Sequence, residues 1–146
     1  MARRPFNVPV ISRELTDEIN VRVVRRLGEQ VLGSLVLTTP VGMPGTWLSV
    51  PPAGYTPGHA RFSWKVKLNG FDSADVPGQD PGGARTIADG QQVMRASKLK
   101  DTINIFNNAP YIGRLNNGWS RQAAAGYVDR AIRSGIASAG TGTIVL

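Results

Sequence analysis

The chain has 146 residues, no cysteine and a net charge of +7, from 17 basic and 10 acidic side chains. That length suits one domain, because a chain of about 150 residues buries roughly 68–70% of its unfolded surface; the missing cysteines exclude a disulfide framework, a cysteine metal site and a thiol nucleophile. Of the basic residues 13 are arginine and 4 are lysine, so the excess charge either meets phosphate or an acidic protein neighbour, which the planar guanidinium suits, or simply keeps the chain in solution.

Met1 to Val10 reads as an extended arm, since Pro5 and Pro9 oppose a helix and Arg3 and Arg4 would be solvated. Two arginines without an apolar run behind them do not make a signal peptide, and no window approaches the ~18 apolar residues of a membrane span. Ser12 to Leu32 predicts a helix: Leu15, Ile19, Val23, Leu27 and Val31 recur every fourth residue, with Val24 and Leu35 widening the stripe. Ser12 is the expected N-cap and Gly33 the expected stop. Glu18 and Arg22 stand in the favourable i, i+4 order. Arg22, Arg25 and Arg26 form either a solvated helix face or a nucleic-acid face.

From Thr38 to His59 proline and glycine dominate, giving a long loop in which Trp47, Leu48 and Val50 are good strand residues. Trp47 and Tyr55 in this loop suit subunit contact if exposed; the alternative is a loop folded back over the core. Arg61 to Leu68 predicts a strand, with Phe62, Trp64, Val66 and Leu68 on one face and Arg61, Ser63, Lys65 and Lys67 on the other. Asn69 to Ala84 is a second loop whose Asp72, Asp75 and Asp80 lack the alternate-position spacing of a calcium-binding loop. Ala84 to Ser97 predicts a helix weakened by Gly90.

Ile103 and Ile105 alternate with polar neighbours, which predicts a half-buried strand. Pro110 then opens a short helical turn with Tyr111, Ile112 and Leu115 as its apolar face, and Asn117-Gly118 ends it. After Trp119, Ser120, Arg121 and Gln122, the residues Tyr127, Val128, Ala131, Ile132 and Ile136 predict a final helix. Thr141 to Leu146 either adds an edge strand or remains loose. Together these elements predict an α+β domain over residues 1–146. Its long N-terminal helix and its C-terminal helix pack on a small, mainly antiparallel sheet, with long loops at 38–60 and 69–84.

No reaction centre is legible. His59 is the one histidine, so a Ser-His-Asp triad or a histidine metal cluster lacks partners, and neither a phosphate-binding glycine loop nor a paired acid and base is evident. The expectation is no catalytic residue, no metal and no cofactor.

Two blocks of residues resemble the neck and tail-completion proteins of tailed bacteriophages, the minor tail protein Z type included. The first runs from Asn107 through Tyr111 to Gly118, Ser120, Gln122, Ala123 and Gly126. The second comprises Thr39-Pro40-Val41 and then Gly58, Arg61, Ser63 and Trp64, with residues 42–56 looking inserted. Two positions depart from the family pattern: Asn116-Asn117 replace an acidic residue before Gly118, and Ala124 replaces a proline. The resemblance implies a structural virion protein at the head–tail junction, made in the host cytoplasm. It would form a ring, expected to be hexameric, between portal or connector-adaptor proteins and the tail terminator or tail tube. Genomic DNA would pass through the lumen. A closed ring needs a heterologous interface. Its expected sides are the loop with Trp47 and Tyr55, and the turn with Asn108, Pro110, Tyr111, Asn117 and Trp119. Arg61, Lys65 and Lys67 are the expected DNA-facing residues. The alternative is a freestanding nucleic-acid-binding protein using Arg22, Arg25, Arg26 and the basic strand.

Overall fold

The computed structural model describes residues 8–42, 44–48, 50–51 and 53–140, with side chains from residue 16 onward. Their order is α1 (Val8–Thr38), a single 3-10 turn (Pro44–Thr46), α2 (His59–Phe62), β1 (Trp64–Leu68), α3 (Ala84–Arg95), β2 (Ile103–Asn107), α4 (Ile112–Asn116) and α5 (Tyr127–Gly140). The expected α+β architecture is what forms: β1 and β2 pair antiparallel as a two-stranded ribbon, flanked by a long first helix and a C-terminal helix. Residues 1–7 of the arm expected over Met1 to Val10, and the tail Thr141 to Leu146, lie outside the described residues.

The first helix is longer than its apolar period indicates, at 31 residues. Val8 to Val10 are helical and not part of an arm, because Pro9 falls in the first turn, where its missing N–H costs no hydrogen bond. Ser12 is therefore inside the helix and is not its N-cap. Nor does Gly33 stop it: the helix runs on through Leu35 and Val36, both buried, to Thr38. Burying those two side chains outweighs the roughly 1 kcal/mol that glycine costs inside a helix.

Helix α5 lies antiparallel along the C-terminal part of α1. Tyr127 Oη reaches Thr39 Oγ1 at 3.5 Å, and eight residues later Gly135 meets the backbone of Val31. A Cβ at Gly135 would stand 2.6 Å from Val31 Cα, so the two helices touch backbone to backbone there. Leu32, Leu35, Val36, Trp64, Met94 and Ala131 form one core cluster, with Ile103, Ile105, Val128 and Ile132 packed against it. Helix α3 closes the other side. Gly90, which weakens the helix by propensity, is required by packing, since a Cβ there would lie 2.3 Å from Leu32 Cδ2.

The ribbon register places Trp64, Val66 and Leu68 opposite Asn107, Ile105 and Ile103, and Lys65 and Lys67 opposite Phe106 and Asn104. One face thus carries the apolar set toward the helices, as the alternation predicts. The strand is shorter than expected, however. His59 to Phe62 coil into α2, where Phe62 N–H donates to Gly58 O and Ser63 N–H to His59 O. Arg61 and Phe62 therefore do not belong to the strand faces assigned to them.

Candidate functional site

The aromatic residues expected at a subunit contact gather at one end of the molecule, around the C-terminal end of α1. The Pro/Gly loop folds back over the core and makes a second apolar cluster: Trp47, Ala60, Ala109, Tyr111, Leu115, Ala123 and Tyr127, with Tyr55 packed against it. Trp47, Tyr55 and Tyr111 form a triangle of edge-on rings, with centroids 5.1 Å (Trp47–Tyr55), 6.0 Å (Trp47–Tyr111) and 5.1 Å (Tyr55–Tyr111) apart. Such pairs contribute about 0.5–1.5 kcal/mol each beyond area burial. Trp47 and Tyr111 are 5% exposed. Neither residue is exposed as expected: these rings hold the loop to the core of its own chain.

Backbone pairing completes the rim. Leu48 N–H donates to Trp119 O at 2.8 Å, Arg121 N–H to Thr46 O at 2.7 Å, and Gly42 N–H to the Gln122 side-chain oxygen at 2.8 Å. The loop and the Tyr111–Trp119 turn, expected on opposite sides of an interface, are therefore one surface. Gly118 takes the left-handed conformation (φ 85°) that ends α4, while Asn117 does not (φ −86°). Pro110, Asn117 and Trp119 remain exposed, as do Leu48 and Val50 beside them, at 60% and 85%.

Beside the rim lies an open cavity of about 510 Å³, lined by Thr56, His59, Asp75, Gly78, Pro110 and Tyr111 among others. His59 is largely buried, with Nδ1 2.8 Å from Gly78 O and Nε2 2.7 Å from Asp75 Oδ1. Ser63 Oγ also faces Nε2, at 3.3 Å, but donates to His59 O at 2.8 Å. A nucleophilic relay needs serine and carboxylate on different ring nitrogens; here they converge on one, and a backbone carbonyl occupies the other. The arrangement fastens the 69–83 loop. Asn108 does the same, donating to Asp72 O at 2.7 Å and Ala74 O at 3.0 Å. Burial pushes the Tyr111 phenol far up from its ordinary range, with Tyr55 and Asp75 adding to the effect.

The expected DNA-facing trio is also dispersed. The Arg61 guanidinium is a carbonyl clamp, donating to Thr39 O at 2.8 Å, Pro81 O at 2.7 Å and Leu37 O at 3.0 Å. It ties the end of α1 to the second loop. Lys67 is paired with Asp72 at 2.7 Å, and the Lys65 ammonium sits 3.7 Å from the centroid of the Phe62 ring.

Sequence reasoning missed a second apolar surface. Val23, Val24 and Leu27, on α1 beyond the reach of α5, are 41%, 46% and 37% exposed. With Ile103 and Ile105, Val24 and Leu27 border a groove of about 390 Å³ between α1 and the start of β2. The signal was present as the helical stripe, but a stripe does not say where its cover ends.

Among the described residues no group of acidic or histidine side chains is placed to hold a metal ion, and no helix is long and apolar enough to cross a membrane. Comparison of the chain with protein families, with curated proteins and with solved structures finds no match.

Proposed function

We propose that this chain is a structural subunit that assembles with its own copies into a ring. In particular, we infer a neck or tail-completion subunit of the tailed-bacteriophage head–tail junction, joining the head connector to the tail and letting DNA pass. The resemblance of the two residue blocks supplies the biological setting, and one physical observation carries the assembly. Two separate apolar patches stand without cover on the described subunit: Val23, Val24 and Leu27 on α1, and Leu48, Val50 and Trp119 on the rim. The rim adjoins Thr39, about 15 residues along the helix from Val24, or roughly 22 Å at 1.5 Å per residue. Two different patches on one protomer are what a heterologous, ring-closing contact needs. The chemistry at His59 supports this reading as well, because its polar groups are spent on loop attachment.

The test is assembly by complementation. Leu27→Asp and Val50→Asp each leave one patch intact, so each variant alone is expected to run as a monomer in light scattering. Mixed, they are expected to form heterodimers through the one undamaged pair of patches. A wild-type chain that stays monomeric at high concentration and is missing from purified virions would overturn the proposal. Mixed variants that never associate would overturn the two-patch geometry.

A further inference from the structure

The turn between α3 and β2 carries a conformation its sequence does not favour. Lys98, Leu99 and Lys100 form an exposed tip, and Lys100 has φ 72°, in the left-handed region that glycine or asparagine adopts more readily. A lysine at a position where glycine would relax the backbone directs attention to its side chain. The tip is firmly braced. Asp101 Oδ2 accepts from Lys98 N–H at 2.8 Å, Asp101 N–H donates to Lys98 O at 3.1 Å, and Asn69 Nδ2 donates to Asp101 Oδ1 at 3.0 Å. From behind, the Arg25 guanidinium binds Ser97, through its Oγ at 3.2 Å and its carbonyl. Asn69 is the first cause that holds the Asp101 carboxyl below its usual range, with the Lys98 amide next.

Charge at the tip is compensated only in part, by the Asp101 carboxylate, which the Lys98 ammonium favours. Arg95, Lys98 and Lys100 are all exposed, and among the described residues no carboxylate lies within ion-pair distance of any of them. Asp101, the acidic group within the turn itself, is committed to bracing it. The tip itself has no aromatic side chain, which argues against base stacking on a single strand. Leu99 alone, 43% exposed, is too little apolar surface to anchor on a lipid bilayer.

We propose that the Lys98–Lys100 tip, with Arg95, is a contact for the phosphate backbone of duplex DNA. This replaces the ribbon face expected for that role. It rests on the junction reading for the DNA it meets in the particle, but the contact is measurable on the isolated full chain.

The experiment is fluorescence-anisotropy titration of a short labelled DNA duplex across a range of salt concentrations. Each phosphate contact contributes about 0.9 to the slope of log K against log salt. The double variant K98Q/K100Q should therefore flatten the slope by nearly two, whereas K65Q/K67Q on the ribbon should leave it unchanged. K100G separates binding from folding: relaxing the left-handed residue should raise the thermal midpoint while it weakens DNA binding and lowers the slope by about 0.9. Tip variants with the wild-type slope would overturn the proposal, as would tip variants that lose binding to anionic phosphatidylserine vesicles but keep DNA binding. Particles carrying K98Q/K100Q at normal copy number, with unaltered DNA retention and ejection, would overturn its role at the junction. Absence of the wild-type chain from particles would instead sink the junction reading, and the salt slope on the isolated chain would still decide whether the tip binds DNA.

Discussion

Two glycines in helices, alike by propensity, are expected to respond to alanine with opposite signs. Gly33 lies inside α1, and a Cβ there would meet nothing within 4 Å. Gly135 lies inside α5, where the same Cβ would stand 2.6 Å from Val31 Cα, 2.9 Å from Gln30 O and 2.9 Å from Val31 N. Alanine gains about 0.8–1 kcal/mol over glycine in a helix interior. At Gly33 that gain is unopposed, so Gly33→Ala should stabilise by about 0.5–1 kcal/mol. At Gly135 the atoms in the way are backbone, which cannot rotate aside as a side chain can. Carbon atoms prefer about 3.5–4.0 Å, so the helices must part by about 1 Å along their shared contact. Overpacking of this kind costs about 1–3 kcal/mol, and often more where backbone must move. Gly135→Ala should therefore destabilise by a net ~1–2 kcal/mol. For a domain of this size one kcal/mol moves the thermal midpoint by about 3–4 °C. Urea melts at constant m-value give the free energies, and calorimetry gives the midpoints. A Gly135→Ala protein as stable as wild type would refute the close helix contact, and a destabilised Gly33→Ala would refute the continuous first helix.

Other perturbations test the clamp and the titrating groups. Arg61→Ala should cost about 2–3 kcal/mol in urea melts, because three carbonyls lose a charged donor at a partly exposed site; its DNA salt slope should match that of wild type. Burial tends to raise the Asp80 carboxyl, but the bonds from Thr86 N–H and Oγ–H, both at 2.8 Å, together with Gly83, hold it below its usual range. A depressed carboxylate stabilises the fold above its unfolded pKa of about 3.9 and stops doing so as pH falls through the folded value. Acid melts should accordingly steepen below about pH 4, and Asp80→Asn should be less stable at neutral pH and flatter in acid. Tyr111 has the opposite sense: its raised phenol favours the folded, neutral form, a contribution present below about pH 10 and lost as pH rises beyond it. Tyr111→Phe should blunt the alkaline fall in thermal midpoint, and an unchanged alkaline profile would place the titration elsewhere.

Much of the architecture was legible because its causes are local. Ile103 and Ile105, and Trp64, Val66 and Leu68, alternate along their strands, and they form the inner face of the ribbon. Val128, Ile132 and their neighbours repeat at helical spacing, and α5 forms where they predict it. Where prediction and structure part, a contact distant in sequence decides. Gly33 does not end α1 because α5 arrives about a hundred residues later to cover the helix beyond it. Arg61 to Ser63 alternate like a strand, yet the clamp to Leu37, Thr39 and Pro81 and the His59–Ser63 hydrogen bonds hold them in a helical turn.

The burial of Trp47 and Tyr111 was hidden from the sequence for the same reason. Trp47 and Tyr111 are the residues an interface favours, but they are equally the residues that best close a small core, and composition does not separate the two uses. Their mutual packing decides it here, and it has a consequence for assembly. Once the loop and the turn are joined through Leu48–Trp119 and Thr46–Arg121, they provide one patch where a ring contact requires two. On the proposed ring reading, the second patch is sought where the fold leaves apolar surface uncovered. That place follows from two lengths: α1 has 31 residues and α5 has 14. Helix α5 therefore spans about 21 Å of a helix about 46 Å long. With their antiparallel register anchored at Tyr127–Thr39 and Gly135–Val31, the cover runs out near Leu27, where Val23 and Val24 emerge. Lengthening α5 by two helical turns would bury that strip and should abolish the proposed assembly while raising the stability of the monomer. Assembly that survives the extension would refute this strip as one side of the proposed ring contact.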